Sequence, residues 1–157
     1  MEFTEAFDEL AQLAYGMAFR VLGSRSEAEE VAQETLTKAL VRWRRVQGHA
    51  RPWVCRVAVN EAIGILRRRR ESDTQAAVHR VDGVADRVDL QRALLTLPTR
   101  QREVLILRYL LDMSEKDVAN ELGLSVGTVK THSHRALAAM RVVLSDEGAP
   151  TKEICDV

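Results

Sequence analysis

The chain is predicted to be all-α, folded as two small helical domains joined by a linker. Strand-type alternation of apolar and polar residues is nearly absent, while apolar residues recur at spacings of three and four. Only three prolines fall in the 157 residues, so little interrupts that helical period. The apolar stripe lapses once, over residues 71–89, which are rich in Asp and contain Gly83. That lapse predicts a linker and divides the chain into 1–70, the linker 71–89, 90–145 and a flexible tail 146–157.

The first helix is expected over residues 3–22, with Phe3, Phe7, Leu10, Ala14, Met17 and Val21 on one stripe and Gly23 at its end. Ser26 and Glu29 form a Ser-x-x-Glu capping box for the second helix, which should run to about Trp43. Its inner side is Ala28, Val31, Ala32, Thr35, Leu36, Ala39 and Leu40. Glu27, Glu29, Glu30, Gln33 and Glu34 crowd its first turns. Glu27 and Glu29 suit the positive end of the helix dipole, whereas Gln33 and Glu34 lie further along a polar face open to a partner. Residues 44–51 are a basic connection, and Pro52 suits the first turn of a third helix over about 52–69. Trp53, Val54, Val57, Ala58, Ala62 and Ile65 face inward on it, with Arg51, Arg56 and Asn60 outward. It ends in Arg67, Arg68, Arg69 and Arg70, more cations than a helix dipole needs, which points to phosphates and salt-dependent binding.

After the linker, Leu90 to Leu97 forms a short helix, and Pro98 restarts the chain. Arg100–Leu111 then packs Val104, Leu105, Leu107, Leu110 and Leu111 under the next two helices. Ser114 caps the first of these, whose inner face is Val118, Ala119 and Leu122. Gly123 supplies the left-handed turn, and Ser125 caps a second helix with Val129, Ala136, Leu137 and Met140 inward. A small residue four before the turn Gly and a branched one six after it is the spacing of a helix-turn-helix. The outer face of the second helix carries Lys130, Thr131, His132, His134 and Arg135, with no acid between Ser125 and Arg141. Such a face can enter a DNA major groove.

Formal net charge is zero, but the charge is segregated. Residues 1–40 carry eight acids against Arg20, Arg25 and Lys38, and residues 41–70 carry nine arginines against Glu61 alone. Separate faces for separate partners follow from such blocks. Cys55 and Cys155 match no disulfide framework or zinc spacing. No signal peptide and no membrane-length apolar run is found, so a cytoplasmic protein without membrane insertion is expected. No phosphate loop, metal cluster or nucleophile–base pair can be assembled, so neither an enzyme nor a cofactor is predicted. His132 and His134 diverge by roughly 200° on a helix and cannot share a metal.

Taken together, residues 3–145 resemble an extracytoplasmic-function (ECF) alternative sigma factor of bacterial RNA polymerase. The segment 27–36 is similar to the family's clamp-binding helix, and Trp53–Asn60 with the arginine run is similar to its promoter-melting helix. Leu97-Pro98 through Arg141, with Gly127-Thr-Val-Lys130 opening the recognition helix, is similar to its −35 module. The resemblance implies RNA polymerase core as partner, through the beta-prime clamp and beta flap, together with promoter DNA. It leaves room for an anti-sigma factor. By position it implies core contacts at Glu27, Glu29, Glu30, Gln33 and Glu34. The −10 contacts it implies are Arg51, Trp53, Arg56, Asn60, Arg67, Arg68, Arg69 and Arg70. For the −35 element it implies Ser125, Thr128, Lys130, Thr131, His132, His134 and Arg135. The chain departs from the family at Gly64, often Asp, at Leu36, often aromatic, and in the short connection from Trp43 to Trp53. The run from Thr99 to Met140 also resembles the DNA-binding domain of LuxR-type regulators, which usually dimerise and bind DNA without polymerase. A receiver domain would need βα alternation in the first 70 residues, and that alternation is not there.

Overall fold

The computed structural model describes residues 1–72 and 88–146, and all regular structure among them is helical. Two compact units are formed, Met1–Asp82 and Gly83–Val157. The expected linker lies largely outside the described residues, as does the tail beyond residue 146. Glu71 and Ser72 belong to the last turn of the helix before the linker, and Val88 opens the helix after it.

In the first unit α1 spans Phe3–Leu22 and α2 spans Arg25–Val41. A single-turn α3, Trp43–Val46, and a 3-10 turn, Gln47–His49, lead into α4, Ala50–Ser72. α1, α2 and α4 pack pairwise around one core of small and branched residues. Leu10, Ala14, Val21, Leu22, Ala28, Val54, Ala58 and Val59 are all sealed from solvent there. Small buried residues such as Ala14, Ala28 and Ala58 allow helices to pack closely, and each buried Leu or Val contributes about 1.5–3 kcal/mol.

Several sequence expectations shift here. Ser24, not Ser26, caps α2, its hydroxyl accepting the Glu27 N–H at 3.5 Å. Ser24 also heads a Ser-x-x-Glu, and starting there lets the helix begin immediately after Gly23, which turns in the left-handed region at φ 68°. α2 ends at Val41 rather than Trp43, and Leu40 is exposed while Ala39 is buried. The basic connection is itself helical, because Val46 and Ala50 are drawn into the core. α4 therefore starts two residues early, with Pro52 still inside its first turn, where its missing N–H costs nothing. The buried stripe of α4 runs Val54, Ala58, Val59, Ala62, Ile63 and Leu66, leaving Trp53, Val57 and Ile65 at its margin. Phe7 lies exposed, edge-on to Phe3 at 5.9 Å, and Phe3 meets Trp43 edge-on at 5.2 Å.

In the second unit α5 (Val88–Thr96), α6 (Thr99–Leu105), α7 (Glu115–Leu122) and α8 (Val126–Asp146) are joined by short turns. Ala93, Leu94, Leu97, Leu105, Ala136 and Met140 form its core, flanked by Leu137, Ala139 and Val143. α6 continues into a π-helical turn, Ile106–Leu110. The wider turn advances the side-chain register, so Ile106 and Leu107 are buried but Leu110, expected inward, is exposed. The chain then reverses through Asp112 at φ 52°, a residue type that tolerates this region, and Met113 re-enters the core.

Candidate nucleic-acid and polymerase interface

The helix-turn-helix forms as its spacing predicts. Ser114 accepts the Asp117 N–H at 3.1 Å and starts α7. Gly123 ends it at φ 65°, its N–H donating to Ala119 O, and Leu124 N–H reaches the same carbonyl at 2.9 Å. Ser125 accepts the Thr128 N–H at 3.1 Å and caps α8. Val118, Ala119, Leu122 and Val129 close the seam between the two helices. The hydroxyls of Ser125 and Thr128 bond each other at 2.7 Å, and Thr131 donates to Gly127 O at 3.0 Å. These three side chains thus first organise the start of the recognition helix.

Lys130, Thr131, His134 and Arg135 are exposed, and helical geometry spreads them over about 140° of one face. His132 sits at the edge of that face, half-buried, with Nδ1 enclosed and unpaired. Lys130 Nζ lies 3.8 Å from Glu115 Oε2, at the start of α7.

On α4, Trp53, Arg56, Asn60 and Arg67 fall on one strip of the helix. Arg56, Arg67, Arg68 and Arg70 are exposed, whereas Trp53 and Asn60 are half-buried, with Asn60 Oδ1 enclosed and unpaired. Arg51 and Arg69 of the predicted set are held by acids of other helices: Arg51 pairs with Glu9 of α1, and Arg69 with Glu27 of α2. The Glu27–Arg69 pair joins two residues that the sequence assigns to different partners. Glu27 is half-buried in it, with Oε2 enclosed, so the solvent-facing members of the acidic set are Glu29, Glu30, Gln33 and Glu34. Glu34 also pairs with Lys38 at 3.5 Å, and Lys38 reaches across to Glu61 of α4. These carboxylates hold the Lys38 ammonium above its ordinary pKa, chiefly through the Glu61 contact and against the effect of burial. Sequence reading missed the partners Glu9, Glu61 and Glu115, since pairing across helices has no local spacing rule. The one signal was Lys38, the only lysine in the acidic first block.

Burial pushes the Cys55 thiol up, against the pull of Arg20 and Arg51, as expected of a cysteine serving as packing. Among the described residues no group of three or more His, Cys, Asp or Glu is placed to hold a metal ion. None of the described helices is long and apolar enough to cross a membrane.

Two family models match the chain: sigma-70 region 2 over residues 6–72 and sigma-70 region 4 over residues 87–140. They define a sigma factor built of those two regions. The curated relatives narrow the class. SigL, an ECF RNA polymerase sigma factor of Mycobacterium tuberculosis, is 32% identical over 90% of this chain and 88% of its own length. SigW of Bacillus subtilis, also an ECF sigma factor, is 29% identical over 92% and 89%. Among solved structures, the sigma factor RpoE of Bartonella quintana, in complex with the anti-sigma factor NepR, superposes with a TM-score of 0.60 at 25% identity. That match covers 93% of this chain and 98% of that one. The chain belongs to the ECF RNA polymerase sigma factors. It is an alternative sigma factor that binds RNA polymerase core, recognises −35 and −10 promoter elements and promotes transcription initiation.

Proposed function

We propose a division of that work between the two units. Residues 1–70 dock on the polymerase beta-prime clamp through the exposed face of α2, with Glu29, Glu30, Gln33 and Glu34 as contacts and Glu27 as an internal brace. The same unit holds the opened −10 strand along α4, where Trp53 and Asn60 take a base and Arg56, Arg67, Arg68 and Arg70 take phosphates. Residues 90–145 bind the −35 duplex, with Lys130 and Arg135 reading base edges and the first turn of α8 set against the backbone. The beta flap is the proposed polymerase contact of this second unit. The factor acts without catalysis. Like RpoE in its complex with NepR, it is a candidate for control by an anti-sigma protein.

The observation that carries this reading is the acid-free exposed face of α8, paired in the same chain with an arginine strip on α4. A LuxR-type regulator is disfavoured because residues 1–72 form a helical bundle rather than a βα receiver. The test is capture of core polymerase by the full chain, followed by run-off transcription from a promoter library. Glu30→Ala and Gln33→Ala should weaken core capture. Lys130→Ala and Arg135→Ala should leave capture intact and cut transcription from −35-dependent promoters. DNA shifted by a dimer of the chain, with no core captured, would overturn the assignment.

A further inference from the structure

Glu115 is the acid that the helix-turn-helix brings to its own recognition helix. It is the first residue of α7, directly after the capping Ser114, and its side chain is 34% exposed. Oε2 stands 3.8 Å from Lys130 Nζ, an ion-pair separation longer than a hydrogen bond. Lys130 is 65% exposed and sits on the second turn of α8. An exposed pair of this kind contributes little to folding, so its placement needs a reason other than stability.

Approach of DNA supplies one. In a helix-turn-helix the first helix crosses the phosphate backbone while the second lies in the groove. A carboxylate at the start of α7 therefore meets phosphates unfavourably. A lysine alone on the next helix would swing its flexible four-carbon stem onto a phosphate, the strongest nearby anion. With Glu115 beside it, the ammonium is already drawn to a carboxylate, and that carboxylate repels the phosphate that would compete for it. What remains open to Lys130 is a base edge, and guanine O6 and N7 are the acceptors that suit a lysine.

We propose that Glu115 is a positioning residue for promoter specificity, holding Lys130 off the phosphates so that it reads a guanine in the −35 element. The inference rests on the proposed −35 role of the second unit. Glu115 acts through Lys130 and need not touch DNA.

The experiment uses the full chain bound to core polymerase, with a −35 promoter library and binding measured across a salt series. Glu115→Gln keeps the shape and removes the charge. Expected is a loss of preference, several-fold, at a single base pair, the same pair at which Lys130→Met loses it. The freed lysine takes a phosphate instead, so the slope of log K against log salt steepens by about 0.9. In the Lys130→Met background, Glu115→Gln should then leave the preference unchanged and steepen the slope by clearly less. If the slope steepens equally without Lys130, the carboxylate merely repels DNA and the positioning role is wrong. Even loss at every −35 position, or no change at any, also overturns it. A Lys130→Met variant that leaves the −35 profile intact shows instead that the base-reading assignment of Lys130 has failed, and Glu115 falls with it.

Discussion

The two units handle charge in opposite ways. Among the described residues, the core of the first is uncharged, and the one polar residue sealed in it is Thr35. Its ion pairs between helices, such as Glu9–Arg51, Glu27–Arg69 and Lys38–Glu61, sit at the rims where those helices meet. The second unit carries charge inside. Glu103 is fully buried, Arg102 is 8% exposed, and Arg100 reaches Glu103 Oε2 at 3.2 Å. Burial pushes the Arg102 guanidinium down from its ordinary range, and Glu103 opposes that shift. Rim pairs in the first unit therefore tune surface charge and brace helices, whereas the buried carboxylate of the second is part of its fold.

Replacing Glu103 is the largest test of that contrast. Glu103→Gln keeps the volume but leaves the buried Arg102 without its countercharge, which should cost the second unit about 3 kcal/mol. Both tryptophans, Trp43 and Trp53, lie in the first unit. Tryptophan fluorescence therefore follows that unit, while circular dichroism follows both. The expected result is an earlier unfolding step in circular dichroism with the fluorescence transition in place. A joint shift would mean that the units unfold together, and no shift would remove Glu103 from the fold's requirements.

A smaller effect is expected at the helix-turn-helix corner. A Cβ on Gly123 would meet nothing within 4 Å, so its cost is purely that of the backbone at φ 65°. Gly123→Ala should destabilise the second unit by about 1–2 kcal/mol. Gly123→Asn should cost less, because Asn enters the left-handed region more readily. Equal losses for the two variants would locate the penalty elsewhere than in φ.

This corner was legible in the sequence because every requirement there is local. A cap, a left-handed glycine and a seam of small and branched residues each leave a mark at fixed spacing. α1 was legible likewise, its bounds set by one stripe and one glycine. Legibility fails where tertiary contact decides. Ser24 and Ser26 both head plausible caps, and the earlier one wins because the chain leaves Gly23 already turned. Residues 44–51 look like a solvated connection, yet burial of Val46 and Ala50 makes them helical. No local pattern marks Arg102 and Glu103 for burial, and only the fold encloses them together. The candidate site divides the same way. The exposed faces of α4 and α8 follow from periodicity, but the acids that engage Arg51, Arg69 and Lys130 come from other helices and could not be paired in advance.

The smallest test returns to the rim of the first unit. Lys38 is the only lysine in residues 1–72, and its contacts with Glu61 and Glu34 raise its pKa from 10.5. A base whose pKa is higher in the folded state than in the unfolded one stabilises the fold most when protonated in both. Its contribution is thus fully present below pH 10.5 and fades as pH rises through the raised value. Being partly exposed, the pair should contribute less than about 1 kcal/mol. Lys38→Met removes it while retaining the apolar stem. Fluorescence-detected stabilities of the two proteins should then differ slightly at neutral pH and converge above pH 10.5. The comparison cancels whatever other titrations the two proteins share. Curves that stay parallel through the alkaline range would show that Lys38 packs between α2 and α4 through its stem alone.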